Sequence, residues 1–430
     1  MDPTALVRQT IARLNAMRGH SFFMNAFYLM LATFVLAFGG FIFWAIVTRT
    51  YDASAVGVAT TLISVSGLLS LLGLVGFDTA LVRFLPRSPQ KNSYISTSII
   101  IVMAASAAIS AVMASILPVI LPELAVLHEP WAWASFVLFT TVCSVNTALL
   151  SIFLAYKSAK YTLAFNSILS GSKIALPLLF AHGNAMAIFI LAGSAQLLSL
   201  ICGLSWLWRT FKFRFVPRVD KSVLQQTKKF SLFMYVSSVL NLVPPTVLPL
   251  IIVGSLSSEY AAYYYIAFTI ASALYTIAYA SMQSVFAEGS HDQSALRAHI
   301  IKAAKIVGFV LVPVSLLTAL LSYIPLAFFG AGYVAHATPL LQLFAVGAVP
   351  VALYSGLGAV FKVTKNTTGI LAMNITYATA ILGLSVLLIS QFALVGVGIA
   401  WLAGNVAACI VGLFFVRSSN MTARNITVDT

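Results

Sequence analysis

The feature that most constrains this 430-residue chain is a series of apolar runs of membrane-spanning length, repeated along nearly all of it. About 20 apolar residues cross a bilayer as a helix. A backbone in lipid must satisfy its own polar groups, which restricts spanning structures to helices and closed barrels. Read with a window of about 19 residues, the runs lie near 22–47, 56–80, 94–118, 133–156, 162–181 and 185–208. After a polar gap come 231–254, 261–286, 303–325, 337–361, 368–390 and 395–416. The expected fold is an all-α membrane protein with about twelve transmembrane helices. Only 8% of residues are charged and 60% are hydrophobic, where a soluble domain carries roughly a quarter as charges. A water-soluble globule, a disordered chain and collagen are thereby excluded. The first run starts at Ser21 with no small-residue cleavage site closing a short apolar core, so it reads as a retained helix rather than a signal peptide. Cys143, Cys202 and Cys409 each lie inside an apolar run, without metal-ligand spacing or a disulfide framework, and no cofactor is expected.

The net charge of +14 would suggest nucleic acid in a soluble protein, but the position of the charges decides otherwise. With twelve spans both termini share one side. Twenty-two of the 24 Lys and Arg residues fall on that side, Arg49 alone falls on the other, and Lys173 lies within a span. The positive-inside rule then places both termini and the 209–230 connection in the cytoplasm of a multi-pass plasma or inner membrane protein. The basic charge is topological, so no nucleic-acid partner is expected. The longest outer connection, about 119–132, is too short for a folded domain, so the function must reside in the bilayer.

The chain divides into two lobes, 1–208 and 231–430, joined by a basic cytoplasmic linker at 209–230. Ser21-Phe22-Phe23-Met24 opens the first span and Ser231-Leu232-Phe233-Met234 the seventh, an offset of 210. Each opening follows a basic segment, expected to form a helix on the inner leaflet. Six spans plus six with the same entry orientation imply parallel repeats about a pseudo-two-fold axis along the membrane normal, as in transporters whose site lies between lobes. Span 7 contains Pro244, Pro245 and Pro249, which remove backbone donors and should kink or break it. The same offset carries Pro249 onto Gly39 of Gly39-Gly40, so both lobes are expected to bend at one height.

An ionisable residue at membrane depth is costly and marks a functional hypothesis. Lys173 is such a residue, expected at the middle of span 5 in Ser170-Gly171-Ser172-Lys173, with Pro177 four residues on to leave its carbonyl without a helical donor. It is a candidate point charge for a phosphate group; the alternative is a lysine that snorkels to an interface. Arg49, with Asp52 three residues away, and Arg83, five residues after Asp78 at the inner end of span 2, are candidate entrance or gate residues. Either can also be read as a local ion pair or membrane anchor. Asn25, Asn146, Asn166, Gln196, Asn241 and Gln283 could bond sugar hydroxyls or join helices. No carboxylate lies at mid-bilayer, so the buried charge favours an anionic substrate over a cationic one.

Several stretches carry a family resemblance: span 1 through Arg49, Ser54-Ala55-Val56-Gly57, Gly76-Phe77-Asp78-Thr79-Ala80-Leu81-Val82-Arg83-Phe84-Leu85-Pro86, and Phe286-Ala287-Glu288-Gly289-Ser290. Ser258-Glu259-Tyr260-Ala261-Ala262-Tyr263 resembles the second-half counterpart of Ser54 to Gly57, with Ala262 where the family often has Gly. With these the chain resembles the polysaccharide and oligosaccharide flippases of the multidrug/oligosaccharidyl-lipid/polysaccharide (MOP) transporter superfamily. The resemblance implies a two-lobe flippase that moves a polyprenyl phosphate- or diphosphate-linked saccharide to the outer leaflet by alternating access. It also implies a place in cell-surface polysaccharide biosynthesis beside assembly enzymes; a monomer is the default for two lobes. Lys173, Arg49, Arg83, Asn25 and Asn166 are then expected to meet substrate, and Asp78, Gly39, Pro177, Pro244, Pro245 and Pro249 to gate or hinge. The alternative is a multidrug or small-metabolite exporter of the same superfamily. An enzyme is disfavoured, because Glu123, His128 and Glu129 form the one outer polar cluster and no GxxxxGK[ST] or HExxH motif is present.

Overall fold

The computed structural model describes the backbone of residues 3–179, 183–291, 296–364 and 366–426. Side chains are described for these except 3–23, 26, 225–234, 283–291, 296–297, 299 and 418–426. The Ser21 and Ser231 openings (Met24 apart), Gln283 and the Phe286 to Ser290 stretch thus have side chains outside the described residues.

Five long helices follow a 48-residue first one: α1 (Pro3–Thr50), α2 (Ala53–Leu74), α4 (Lys91–Ile120), α5 (Pro130–Ala155), α6 (Ala159–Leu179) and α7 (Ala185–Arg209), with a short α3 (Phe77–Phe84) between α2 and α4. The second half has α8 (Lys221–Ser255), α9 (Ser258–His291), α10 (Leu296–Ile306), α11 (Val312–Leu320), α12 (Tyr323–Ala327), α13 (Ala331–Val346), α14 (Ala348–Val363) and α15 (Thr367–Ile426). Among the described residues, eleven helical stretches are long and apolar enough to cross a membrane. The last, Thr367–Arg417, is two crossings. Its 51 residues would reach far beyond the roughly 30 Å hydrocarbon core at about 1.5 Å per residue. Ala393 breaks it with φ 47° and ψ −131°, and a Cβ on Gly404 would lie 2.4 Å from Ile381 Cγ1, so the two arms pack as a hairpin. The count is twelve, in two lobes of six.

Several boundaries differ from the sequence reading, each for a local reason. Span 2 ends at Leu74, not near 80, because Val75 (φ 49°) and Gly76 (φ 79°) are both left-handed and turn the chain into α3. The basic segments before spans 1 and 7 are not separate surface helices; they continue into α1 and α8. Span 10 is α13 and α14, joined at Gly347. The helix of α10 and α11 is joined by a π-turn at Val307–Leu311, which widens the backbone just before Pro313, where a proline ring would otherwise press on the preceding turn. The three prolines of α8 do not break it: the helix is continuous from Lys221 to Ser255. Nor is α1 interrupted at Gly39.

Small residues and hydroxyls hold the lobes where lipid offers no hydrophobic drive. A Cβ on Gly39 would sit 2.4 Å from Ser170 Cβ, so α1 lies directly on α6, and Ser170 Oγ donates to Val35 O at 3.1 Å. In the first lobe Thr140 Oγ1 donates to Ser66 Oγ at 2.9 Å, and Ser106 and Ser144 hydroxyls are 2.7 Å apart. In the second, Trp401 is buried among Phe268, Tyr275, Phe344 and Tyr377. The outward faces expose large apolar side chains such as Phe309, Val119 and Leu179, as a lipid-facing surface requires.

The lobes meet along α2, which packs on α8 and α9. Ser54 Oγ and Ser258 Oγ, each at its helix start, are 2.8 Å apart. The two motifs read as counterparts therefore touch one another. That contact is what a pseudo-two-fold axis between α2 and α9 requires, since equivalent surfaces meet on such an axis.

Candidate functional site

Beside this axis lies a cavity of about 720 Å³ between the lobes, walled by α1, α2, α5, α6 and α7 on one side and α8 and α9 on the other. Its wall carries one charged residue among the described ones, Lys173, and no acid. The half-buried Lys173 places Nζ 5.8 Å from the centre of the Phe43 ring. It begins the last third of α6, about 21 Å along the helix from Ala159 and so about 6 Å past mid-helix toward the end away from the termini.

Amides and hydroxyls give the rest of the wall its polarity. Asn146 Nδ2 donates to Gln196 Oε1 at 2.7 Å and to Gln196 O at 3.0 Å; Asn166 Nδ2 donates to Ala32 O at 3.2 Å. The Oδ1 atoms of both asparagines are buried without a partner. On the second lobe Thr246, Thr269 and Thr276 donate their hydroxyls to carbonyls of their own helices. Their hydrogens are thus occupied while lone pairs remain, which suits them to accept bonds from ligand hydroxyls. Phe41, Trp44, Phe165, Tyr265 and Phe268 supply aromatic faces.

The end of this cavity away from the termini is closed by contacts between the lobes. Trp44 meets Tyr265 edge-on, centroids 4.9 Å apart; Phe41 meets Phe329 at 5.0 Å. Arg49 Nε donates to Phe328 O at 2.9 Å. Gly57 lies against the Ser258 carbonyl so closely that a Cβ would come 1.6 Å from its oxygen. Towards the other end, Tyr235 Oη donates to Leu72 O at 2.7 Å.

Of the residues singled out in the sequence, Lys173, Asn166 and Pro245 line the cavity together, with Asn146 and Gln196. The others do not. Arg49 bonds across the lobes rather than to Asp52. Asn25 accepts from Ala159 N at 3.1 Å and so caps α6. Arg83 is exposed on α3, its guanidinium 5.5 Å from the Phe84 ring centre, and the half-buried Asp78 is in the first turn of the same helix. Gly39 and the buried Pro177 lie in the α1 and α6 packing layers, and Pro244 and Pro249 sit in α8 outside the cavity wall. Asn241 lines a neighbouring pocket, mostly of the second lobe, where its Oδ1 accepts from Tyr354 Oη at 2.6 Å. The sequence reading missed Trp44 and the face of α9 formed by Tyr265, Thr269, Ser272 and Thr276. The spacing of those four at one helical face was the signal available.

Fold and site together define a two-lobe membrane transporter architecture. The family described as polysaccharide biosynthesis protein matches residues 46–337, and the chain belongs to it. Among solved structures, the lipid II flippase MurJ in its inward closed conformation aligns with a TM-score of 0.73 at 14% identity, covering 90% of this chain and 87% of that one. An inward-facing multidrug resistance MATE family transporter of the MOP superfamily aligns at 0.67 and 15% identity, with 93% and 95% covered. A MOP superfamily transporter from Pyrococcus furiosus, its binding pocket described as of reverse polarity, aligns at 0.62 and 15%, with 93% and 95% covered. The matched fold is thus one of transporters and flippases rather than enzymes. No curated relative matches the sequence.

Proposed function

We propose that the chain is a flippase that carries an isoprenoid phosphate- or diphosphate-linked oligosaccharide from the cytoplasmic to the outer leaflet by alternating access, for polysaccharide assembly at the cell surface. The observation that carries this reading is an interlobe cavity whose wall, among the described residues, pairs a single cation and no acid with hydroxyls, amides and aromatic faces. The cation suits phosphate, the polar and aromatic groups suit sugar, and the isoprenoid tail stays in lipid. Membership of a polysaccharide biosynthesis family and the fold shared with a lipid II flippase support it.

In this reading Arg49, Trp44, Gly57 and Ser258 belong to an outer seal, and the cavity receives substrate from the cytoplasmic side. Lys173 lies deep, near that seal, so the phosphate is drawn inward past the amides. An inside-negative potential favours outward passage of the anion by about 2.3 kcal/mol per charge per 100 mV, which supplies direction without a titrating carboxylate. Polysaccharide-assembly enzymes are the partners this pathway implies, and the chain acts as a monomer.

The decisive experiment reconstitutes the protein in liposomes with a fluorescent polyprenyl-diphosphate saccharide and follows loss of fluorescence to a membrane-impermeant quencher. Protein-dependent exchange between leaflets is expected. No lipid movement together with extrusion of organic cations would hand the function to the exporter reading. Orientation has its own check: a cysteine at Arg214 should react with an impermeant maleimide only after cells are opened. Labelling in intact cells would reverse the topology.

A further inference from the structure

A larger cavity, of about 1,110 Å³, lies where the chain between the lobes folds back on the first lobe; it shares no lining residue with the interlobe cavity. Residues 210–220 are tied to the start of α4. Val216 N donates to Ser96 Oγ at 2.9 Å, Asp220 N to Thr97 Oγ1 at 3.0 Å, and Thr97 Oγ1 to Arg218 O at 3.4 Å. Phe211 packs against Tyr156 with ring centroids 4.6 Å apart and planes tilted by 31°. Lys212 takes the left-handed backbone conformation (φ 52°), uncommon outside glycine, and this turn is held by Phe211 before it and by Phe213 N donating to Leu207 O behind it.

The exposed Lys91, Lys212, Arg218 and Lys221 converge on this cavity. Lys91 opens α4, a 30-residue helix whose N-cap residue Gln90 makes no side-chain cap bond, so its first amides face the cavity's rim without a helical partner. One acid is present, Asp220. Its bonds to the Ser222 hydroxyl (2.7 Å) and amide (2.9 Å) hold its carboxyl below the usual carboxylate range. That carboxylate caps α8 and keeps its charge, so the four cations leave a net excess of three positive charges. The site is also at a bilayer surface, because α4 begins and α7 ends there and the exposed Trp208 and Phe215 flank it.

We propose that this cradle binds a phosphate-bearing anion, and that the headgroup of an anionic phospholipid in the adjoining leaflet supplies it. Bound there, the headgroup fastens the interlobe connection to α4 and so fixes the start of α8 against the first lobe. A free phosphate compound offers the same chemistry and is the other source to be separated by experiment. The inference does not depend on what the interlobe cavity carries.

The test is native mass spectrometry of the purified full-length chain, in a Lys173→Gln background so that the interlobe cavity does not contribute. Phosphatidylglycerol, phosphatidylcholine and inorganic phosphate are the probes. One phosphatidylglycerol per chain should be retained in preference to phosphatidylcholine. Lys212→Gln with Arg218→Gln should weaken it about thirtyfold, from about fivefold per charge removed at a membrane surface. Lys212→Arg with Arg218→Lys should keep it. Equal retention of both lipids, or no change in the glutamine double variant, overturns the proposal. Saturation by inorganic phosphate with no lipid preference upholds the anion site and overturns the phospholipid as its source. The lipid comparison needs neither cradle substitution, so it decides even if the double substitution fails to fold.

Discussion

Lys173→Gln is expected to reduce leaflet exchange of a polyprenyl-diphosphate saccharide by about a hundredfold while leaving the protein as stable as wild type, or more so. The two halves of that expectation have one physical cause. A cation in the cavity wall, with no acid beside it among the described residues, bears a desolvation cost that a single cation–π contact offsets only in part. Glutamine keeps a polar side chain, one atom shorter, without that cost. No partner is orphaned by the change, since the group 5.8 Å away is the Phe43 ring, whose cation–π attraction is worth about 1 kcal/mol.

The cost is recovered when a phosphate arrives. Removing one side of a desolvated charge pair loses roughly 2–5 kcal/mol, of which about 3 kcal/mol corresponds to the hundredfold loss expected. Lys173→Arg keeps the charge and should retain transport within about tenfold of wild type, because a phosphate accepts either a point charge or a planar fork. Thermal denaturation separates this from a structural role. Added polyprenyl phosphate should raise the melting temperature of wild type and leave that of Lys173→Gln unchanged, since only a ligand bound by the folded state stabilises it. A glutamine variant that melts lower yet transports normally would make Lys173 a packing residue.

The fold was legible because lipid leaves so few choices: twelve apolar runs can only be helices, and the placement of Lys and Arg alternates with them. What escaped was local and depended on neighbours in space. Gly76 alone favours a left-handed turn and nothing marks Val75 as a second left-handed residue before it, so span 2 was carried past Leu74 into the amphipathic α3. The prolines at 244, 245 and 249 carry the correct backbone chemistry, yet the helix runs through them, because losing a few donors does not break a helix that is packed on both sides. In the cavity, Lys173 and Asn166 were found because a polar group in an apolar run is conspicuous alone. Asn25 was equally conspicuous and proved to cap α6, since sequence does not say which face of α1 meets α6. Trp44 and Tyr265 were not conspicuous at all: their role comes from meeting across the axis.

Gly57 is where that axis is most sensitive. An added Cβ would overlap a backbone carbonyl, that of Ser258, at 1.6 Å, and backbone cannot move aside as a side chain would. Gly57→Ala must therefore push α2 from α9 at the end remote from the termini, separating the Ser54 and Ser258 hydroxyls, now 2.8 Å apart. Overpacking of this kind costs about 1–3 kcal/mol, and it falls on the conformation with this end closed. Two states exchanging by alternating access would shift toward the one with this end open by roughly 5- to 150-fold. A cysteine at Thr269 in the cavity wall, in a background without native cysteines, should then react faster with an impermeant maleimide from the outer side, while flipping slows because the transporter no longer reseals. Gly383→Ala is the control, since a Cβ there meets nothing within 4 Å. If Gly57→Ala labels and transports as Gly383→Ala does, the Ser54–Gly57 and Ser258 contact is not the outer seal, and closure must rest on the aromatic pairs Trp44–Tyr265 and Phe41–Phe329 and the Arg49–Phe328 bond.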